Sequence, residues 1–489
     1  MIQGTMSGAG KSILVAGILR VLSQDGYKVA PFKSQNMALN SYVTKDGKEI
    51  GRAQALQAEA AGMEPSSDMN PILLKPMGDT TSQVIVNGLP IGNMKAADYF
   101  KMKKSLVPDI KAAYDRLAQE ADIIVIEGAG SPVEINLREN DIVNMGLAEI
   151  LDAPVLLAGN IDPGGVFAQL LGTVNLMSED EKKRVKGLII NKFRGDVSLL
   201  TPGLDMFKKY LDIPFAGIVP FVPLDLDEED SVSERLRNKK SFFEDSSVPD
   251  DKKLKISVIR LPFISNYTDF TILESLPFVK LSYVKNISEL EGSDLVIIPG
   301  TKNTLADLRW LNDTGLSNEI KRLNKEGIYV IGICGGFQML GKAVLDEEGL
   351  EGGGALEGLS LLPVETKFRD TKVLKQVTGV IGNVSREYKG LCGEKVCGYE
   401  IHMGETITDS DIFPVITNGS VLGTYMHGIF DSPGFTKKLL ELLYAHKQIN
   451  ISIPDFEGAF VHQDKELNKL ADVLRESLDW KMIYETIGL

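Results

Sequence analysis

At 489 residues the chain exceeds the roughly 250–300 residues over which one hydrophobic core grows, so at least two domains are expected, each burying its own interior. Hydrophobic residues at 43% and charged residues at 25% are an ordinary globular balance that excludes wholesale disorder. Lys plus Arg at 53 against 67 Asp plus Glu leave a net charge of −14, which argues against nucleic acid or an anionic membrane as partner. Cys334, Cys392 and Cys397 are too few for a disulfide framework, and with no apolar run of about 18 residues and no leader pattern a soluble cytoplasmic protein is expected.

The chain opens on Gly4-Thr5-Met6-Ser7-Gly8-Ala9-Gly10-Lys11-Ser12, followed by an apolar, helix-compatible run through Leu22. This has the form of a phosphate loop. Glycines let successive backbone N–H groups converge on phosphate at a helix N-terminus, Lys11 reaches the terminal phosphates of ATP, and the Ser12 hydroxyl binds Mg²⁺. Gly4, Thr5, Ser7, Gly8, Gly10, Lys11 and Ser12 are therefore the ATP-binding candidates. Only Met1 to Gln3 precede the loop, so its leading strand is expected to be short.

Asp122 to Ile126 reads as a buried strand running into Glu127-Gly128-Ala129-Gly130, which puts a carboxylate at the carboxyl edge of a sheet, where α/β ligand sites form. Glu127 is the second Mg²⁺ candidate. Val155 to Ala158 and Gly187 to Asn191 are further strand runs, the latter ending in an amide able to read a base edge, so Asn191 is the adenine candidate. Asn238 to Lys253 (NKKSFFEDSSVPDDKK) is polar, charged and broken by proline, and is expected to be a linker.

Strand runs resume at Lys255 to Ile259, Leu295 to Ile298 and Tyr329 to Ile333, so both halves are predicted α/β. The last of them enters Gly332-Ile333-Cys334-Gly335-Gly336-Phe337-Gln338, a glycine-flanked turn into a helix with the form of a nucleophile elbow. A helix N-terminus favours the thiolate, and Cys334 is the predicted nucleophile. His427, in Gly423-Thr424-Tyr425-Met426-His427-Gly428, is the favoured base, and His402 the alternative. Backbone donors for an oxyanion are expected from Gly300, at the end of the strand 295–298, and from Gly335. A helical tail, roughly Asp464 to Leu478, closes the chain.

With these residues assembled, the chain resembles the cobyric acid synthases over essentially its whole length. The elbow at Cys334 and the segment around His427 resemble class I glutamine amidotransferases. Gly4 to Ser12, whose first glycine stands one residue earlier than in the usual loop, and Glu127 to Gly130 resemble dethiobiotin-synthetase-like ATPases. Pro31-Phe32-Lys33-Ser34-Gln35-Asn36-Met37-Ala38-Leu39-Asn40-Ser41, Asn70 to Pro76 and Gly398 to Gly404 narrow the resemblance to this family. It implies residues 1–237 as an ATP-dependent synthetase domain, 238–253 as linker, 254–450 as glutamine amidotransferase and 451–489 as a helical tail.

The implied reaction is amidation of four peripheral carboxylates (b, d, e and g) of adenosylcobyrinic acid a,c-diamide, with ATP and glutamine consumed for each. Lys33 would stabilise the phosphoryl charge or grip a carboxylate, and Asn36 and Asn40 bear amides that can hydrogen-bond an acid or its amide. The family commonly carries Gly-Asp-Ile-Asp-Arg-Gly-Gly where this chain has Gly159-Asn160-Ile161-Asp162-Pro163-Gly164-Gly165, and the resemblance makes Asp162 a further metal candidate. Ile429 stands where many class I amidotransferases have the glutamate that orients the histidine. Glu400 or Asp431 would take that part, or Cys334 and His427 act as a dyad. Amidation of another polyacid, such as cobyrinic acid or a cell-wall precursor, is the near alternative. A regulatory ATPase of the same superfamily would leave the Cys-His half without a role.

Overall fold

The computed structural model describes residues 1–77, 80–226, 248–408 and 411–489. Residues 227–247, which include most of the predicted linker, lie outside the described residues. From 248 a short turn at Asp250–Lys252 leads into the strand Leu254–Ile259.

In the first half, Ile2–Gly4 pairs in parallel with Val155–Asn160, which continues to Val185–Phe193 and Phe215–Pro220. On its other side a parallel bridge from Ile2 to Glu127 adjoins the parallel pair Val29–Phe32 and Ile123–Ile126. The short leading strand therefore lies centrally. Its neighbours are apolar and buried on both faces, as parallel strands sandwiched between helices must be. One consequence positions a site: the carboxyl ends of three adjacent strands deliver the phosphate loop, Glu127 and Asn160 to one edge. A smaller mixed sheet, Gln35–Met37, Ile72–Pro76, Thr81–Val86 and Leu89–Lys95, is an addition that the strand runs did not signal.

The second half has a sheet ordered Val279–Val284, Leu254–Ile259, Leu295–Ile298, Tyr329–Ile333, Val421–Thr424 and Ile416–Asn418, parallel except for the last hairpin. Beside it stands a mostly antiparallel sheet dominated by the long pair Glu365–Val380 and Lys395–Ile407. That pair reaches the first half. Lys372 binds Glu49, and Gln376 donates to the Tyr42 hydroxyl at 2.9 Å.

The C-terminal helices Ala459–Ser477 and Trp480–Ile487 return to the first half rather than to the adjacent one. Leu470 and Leu474 lie so close to the helix Lys11–Gln24 that a Cβ on Gly17 would sit 2.4 Å from Leu474 Cδ1. Glycine permits that approach. Arg20–Asp464 and Arg475–Asp25 pairs flank the contact, although exposed pairs of this kind add only a few tenths of a kcal/mol each.

Candidate active sites

In the phosphate loop, Gly8 and Gly10 take φ of 72° and 81°, a left-handed backbone that favours glycine. The Lys11 ammonium is folded over the loop, donating to the carbonyls of Met6 at 3.1 Å and Gly130 at 3.2 Å. Thr5 donates its backbone N–H to Ala158 and its hydroxyl to Gln169, while Ser7 faces Gly130. The Ser12 hydroxyl reaches Glu127 Oε1 at 2.7 Å, and Lys33 Nζ reaches the same oxygen at 3.0 Å. Gln57 takes the other oxygen at 2.6 Å.

Glu127 is 1% exposed. Burial alone would raise its pKa, but Lys33, Gln57 and Ser12 outweigh that and hold the carboxyl below the usual range, so it is an anion. Two hard oxygens 2.7 Å apart, one anionic, fit adjacent ligands of a small cation such as Mg²⁺.

One sequence expectation is corrected here. Asp162 does not join Ser12 and Glu127. The turn through Gly164 and Gly165, both at positive φ, carries it outward to Arg194, 3.2 Å away, with its side chain 51% exposed. Asn160 takes the inner place, donating to the Gly8 carbonyl at 3.3 Å. The Asn191 amide N–H is used to brace the loop, donating to the Ala9 carbonyl at 2.9 Å. Lys33, Asn36 and Asn40 are buried together in the strand region after Phe32, and Asn36 donates to Gln54 at 2.8 Å.

In the second half, Cys334 sits between the strand Tyr329–Ile333 and the helix Gly335–Leu340 at φ 51° and ψ −111°, a strained conformation for a residue with a side chain. Its neighbours must be glycines. A Cβ on Gly336 would lie 1.9 Å from the Ile298 carbonyl, and one on Gly332 would lie 2.7 Å from that of Gly336. The same crowding brings the segment 299–301 beside the elbow, since a Cβ on Gly335 would meet Thr301 and one on Gly300 would lie 3.0 Å from the His427 ring.

The structure brings His427, not His402, to the thiol. His427 is hydrogen-bonded to Cys334, and Tyr399 stacks on the ring at 5.4 Å. His402 stacks instead on Tyr425 at 3.7 Å, with Glu400 beside it. The orienting partner of His427 is also corrected. It is neither Glu400, which pairs with Lys375, nor Asp431. Asp269 accepts from His427 Nδ1 at 2.7 Å and from the Gly428 N–H at 3.0 Å. Burial pulls the imidazole pKa down, but the Asp269 carboxylate and Cys334 pull it further up, to about 10. Near neutral pH the ring is an imidazolium, which suits a thiolate neighbour and a proton donor.

Asp269→Asn removes that anion at constant shape. The imidazole pKa should fall, the ion pair should vanish, and glutamine hydrolysis should drop by roughly 10²–10⁴-fold with its alkaline limit moved to lower pH. Retention of full activity with an unshifted pH profile would show that Asp269 is not needed.

A glutaminase-type Cys-His-Asp constellation fused to a phosphate-loop half defines a glutamine-dependent amide ligase, a carbon–nitrogen ligase drawing nitrogen from glutamine. The comparisons agree. Residues 1–236 match a CobQ/CobB/MinD/ParA nucleotide binding domain, and residues 255–435 match a CobB/CobQ-like glutamine amidotransferase domain. Cobyric acid synthase of Lachnoclostridium phytofermentans is 51% identical over 99% of this chain and 98% of its own. That of Ruminiclostridium cellulolyticum is 49% identical over 100% and 96%, and that of Yersinia enterocolitica 48% identical over 98% and 96%. The chain belongs to the cobyric acid synthase family. No helix among the described residues is long and apolar enough to cross a membrane.

Proposed function

We propose that the enzyme amidates the b, d, e and g carboxylates of adenosylcobyrinic acid a,c-diamide, each by way of an acyl phosphate formed from ATP. A carboxylate is a poor acyl donor, so its oxygen attacks the γ-phosphorus and ADP leaves; ammonia then attacks the acyl carbon and phosphate departs. Lys11 holds the terminal phosphates, and Lys33 neutralises charge on the carboxylate or the transferring phosphoryl group. Ser12 and Glu127 would hold Mg²⁺, which when bound offsets the negative charge of the phosphates. Asn36 and Asn40 face the corrinoid arm.

At the other site the Cys334 thiolate attacks the glutamine amide carbon, with the oxyanion received by backbone donors of Gly300 and Gly335. His427 gives a proton to the leaving nitrogen, releasing ammonia, and then takes one from the water that hydrolyses the thioester to glutamate. The observation that carries this reading is the coexistence in one chain of Lys11, Ser12, Lys33 and Glu127 around one anion site with Cys334, His427 and Asp269 at the other.

With adenosylcobyrinic acid a,c-diamide, glutamine, Mg²⁺ and ATP, mass spectra should show successive products, each lighter by about one mass unit as hydroxyl becomes amino, stopping after four steps. A series ending after two steps from cobyrinic acid, or amidation of another polyacid and no corrinoid, would overturn the substrate.

A further inference from the structure

The two backbone segments that would receive the oxyanion are held in different ways. Gly335 opens the helix Gly335–Leu340 and is fixed by it. Gly300 lies in the loop between the strand Leu295–Ile298 and the helix Thr304–Asp313, so side chains must set its place. That helix starts on Asn303, whose side chain accepts from the Ala306 N–H at 3.0 Å, and its first turn is therefore already capped. Asp307, four residues into the helix, is fully buried and serves another purpose.

The Asp307 side chain turns back over the cap. The Thr301 hydroxyl donates to its Oδ2 at 2.5 Å, and the Phe263 N–H lies 3.3 Å from both carboxyl oxygens. The two residues so joined belong to segments that meet in a single antiparallel bridge, Ile264 to Thr301. There Lys302 donates its N–H to the Phe263 carbonyl at 3.0 Å, and Ser265 donates to the Gly300 carbonyl at 2.9 Å. Two such bonds contribute about 1 kcal/mol each, too little to fix a loop closely. Asp307 ties the two segments together beside them. The Thr301 hydroxyl also accepts from the Asn303 N–H at 3.1 Å, so carboxyl, loop and helix start form one connected unit.

This unit reaches the reacting groups. A Cβ on Gly300 would lie 3.0 Å from His427 Cε1, and one on Gly335 would lie 3.3 Å from the Thr301 nitrogen. The loop is thus wedged between imidazole and elbow, where a shift of about 1 Å would spoil the aim of its N–H groups. Burial pushes the Asp307 carboxyl up to about 7, against the Thr301 hydroxyl and the Phe263 N–H that favour its anion, and perturbed buried acids of this kind gather at functional sites. The His427 side of the site is held separately. Asp269 donates its N–H to the Asn266 carbonyl at 3.0 Å, and the Asn266 amide donates to the Tyr399 hydroxyl at 3.1 Å.

We propose that Asp307 is a positioning residue for glutamine hydrolysis, holding the Gly300–Thr301 backbone where it receives the oxyanion formed as Cys334 attacks. The proposal rests on the glutaminase reading above. A carboxyl suits the task because its two oxygens accept from donors on two different segments; an amide in its place keeps one accepting oxygen, and alanine keeps none.

The test measures, in the full chain, steady-state glutamine hydrolysis beside the rate at which iodoacetamide alkylates Cys334. Alkylation is read by peptide mass, because Cys392 and Cys397 are exposed. It displaces iodide at a saturated carbon and makes no oxyanion, so it reports the Cys334–His427 pair alone. Asp307→Ala should lower kcat roughly 10²-fold with the glutamine KM within about threefold and alkylation within about twofold of wild type, and Asp307→Asn should recover to within about tenfold. Thr301→Val should show the same loss and Thr301→Ser should not, which decides the matter even where an Asp307 variant does not fold. Wild-type kcat in both Asp307→Asn and Thr301→Val would overturn the proposal, and so would a fall in kcat matched by an equal fall in alkylation. A wild type alkylated at Cys334 that hydrolyses no glutamine would remove the glutaminase reading and this proposal with it.

Discussion

Cys334→Ala is expected to abolish glutamine-driven amide formation, by roughly 10⁴-fold or more, and to leave synthesis from ammonium salts within about twofold of wild type. Without the sulfur no thioester forms, and His427 and Asp269, still paired, have no nucleophile to serve. The substitution is mild for folding. Cys334 already occupies its strained backbone, φ 51°, and alanine removes one buried sulfur that donates to the Ile401 carbonyl at 3.2 Å. Among the described residues the hydrogen bonds of that atom stay within its own half, so the acyl phosphate should still form and be trapped by free ammonia. Product formation with each nitrogen source, measured side by side, checks this; loss of both in a folded variant would remove Cys334 from its assigned role.

Lys11→Ala should have the opposite signature. The Lys11 ammonium lies over the loop between Met6 and Gly130, where the terminal phosphates of ATP would arrive at the N-terminus of the helix Lys11–Gln24. Removing a fixed charge aimed at a transferring phosphoryl group costs roughly 10²–10³-fold or more. Amidation should therefore fail from glutamine and from ammonium alike, whereas glutamate release at Cys334 continues. A rate of corrinoid amidation unchanged from either source would reduce residues 4–12 to a helix cap.

Both expectations rest on motifs that were legible before any fold was known, because the physics that demands them is local. A backbone that must wrap an anion needs glycine at positions 8 and 10, and a nucleophile on a strained turn needs glycines on both sides. Buried parallel strands need continuous apolar runs, so Ile123–Ile126, Leu295–Ile298 and Tyr329–Ile333 could be read directly. The α/β class of both halves followed.

What the tertiary structure alone decided are the partners. Asp269 stands 158 positions before His427, in the short turn Tyr267–Phe270 whose pattern announces nothing, and it reaches the imidazole only because the fold packs that turn against the segment Ile429–Asp431. Gln57 looks like one more polar residue in an alanine-rich helix until the fold turns it onto Glu127. Asp162 failed as a metal candidate for the converse reason, since motif position says nothing about which way a Pro-Gly-Gly turn points a side chain. The pairing of Glu49 with Lys372, and of the last helices with the helix Lys11–Gln24, joins residues hundreds apart. A short window of sequence records what its own backbone requires, whereas a hydrogen bond across the fold leaves no trace in either window, and only packing determines which two buried groups must satisfy each other.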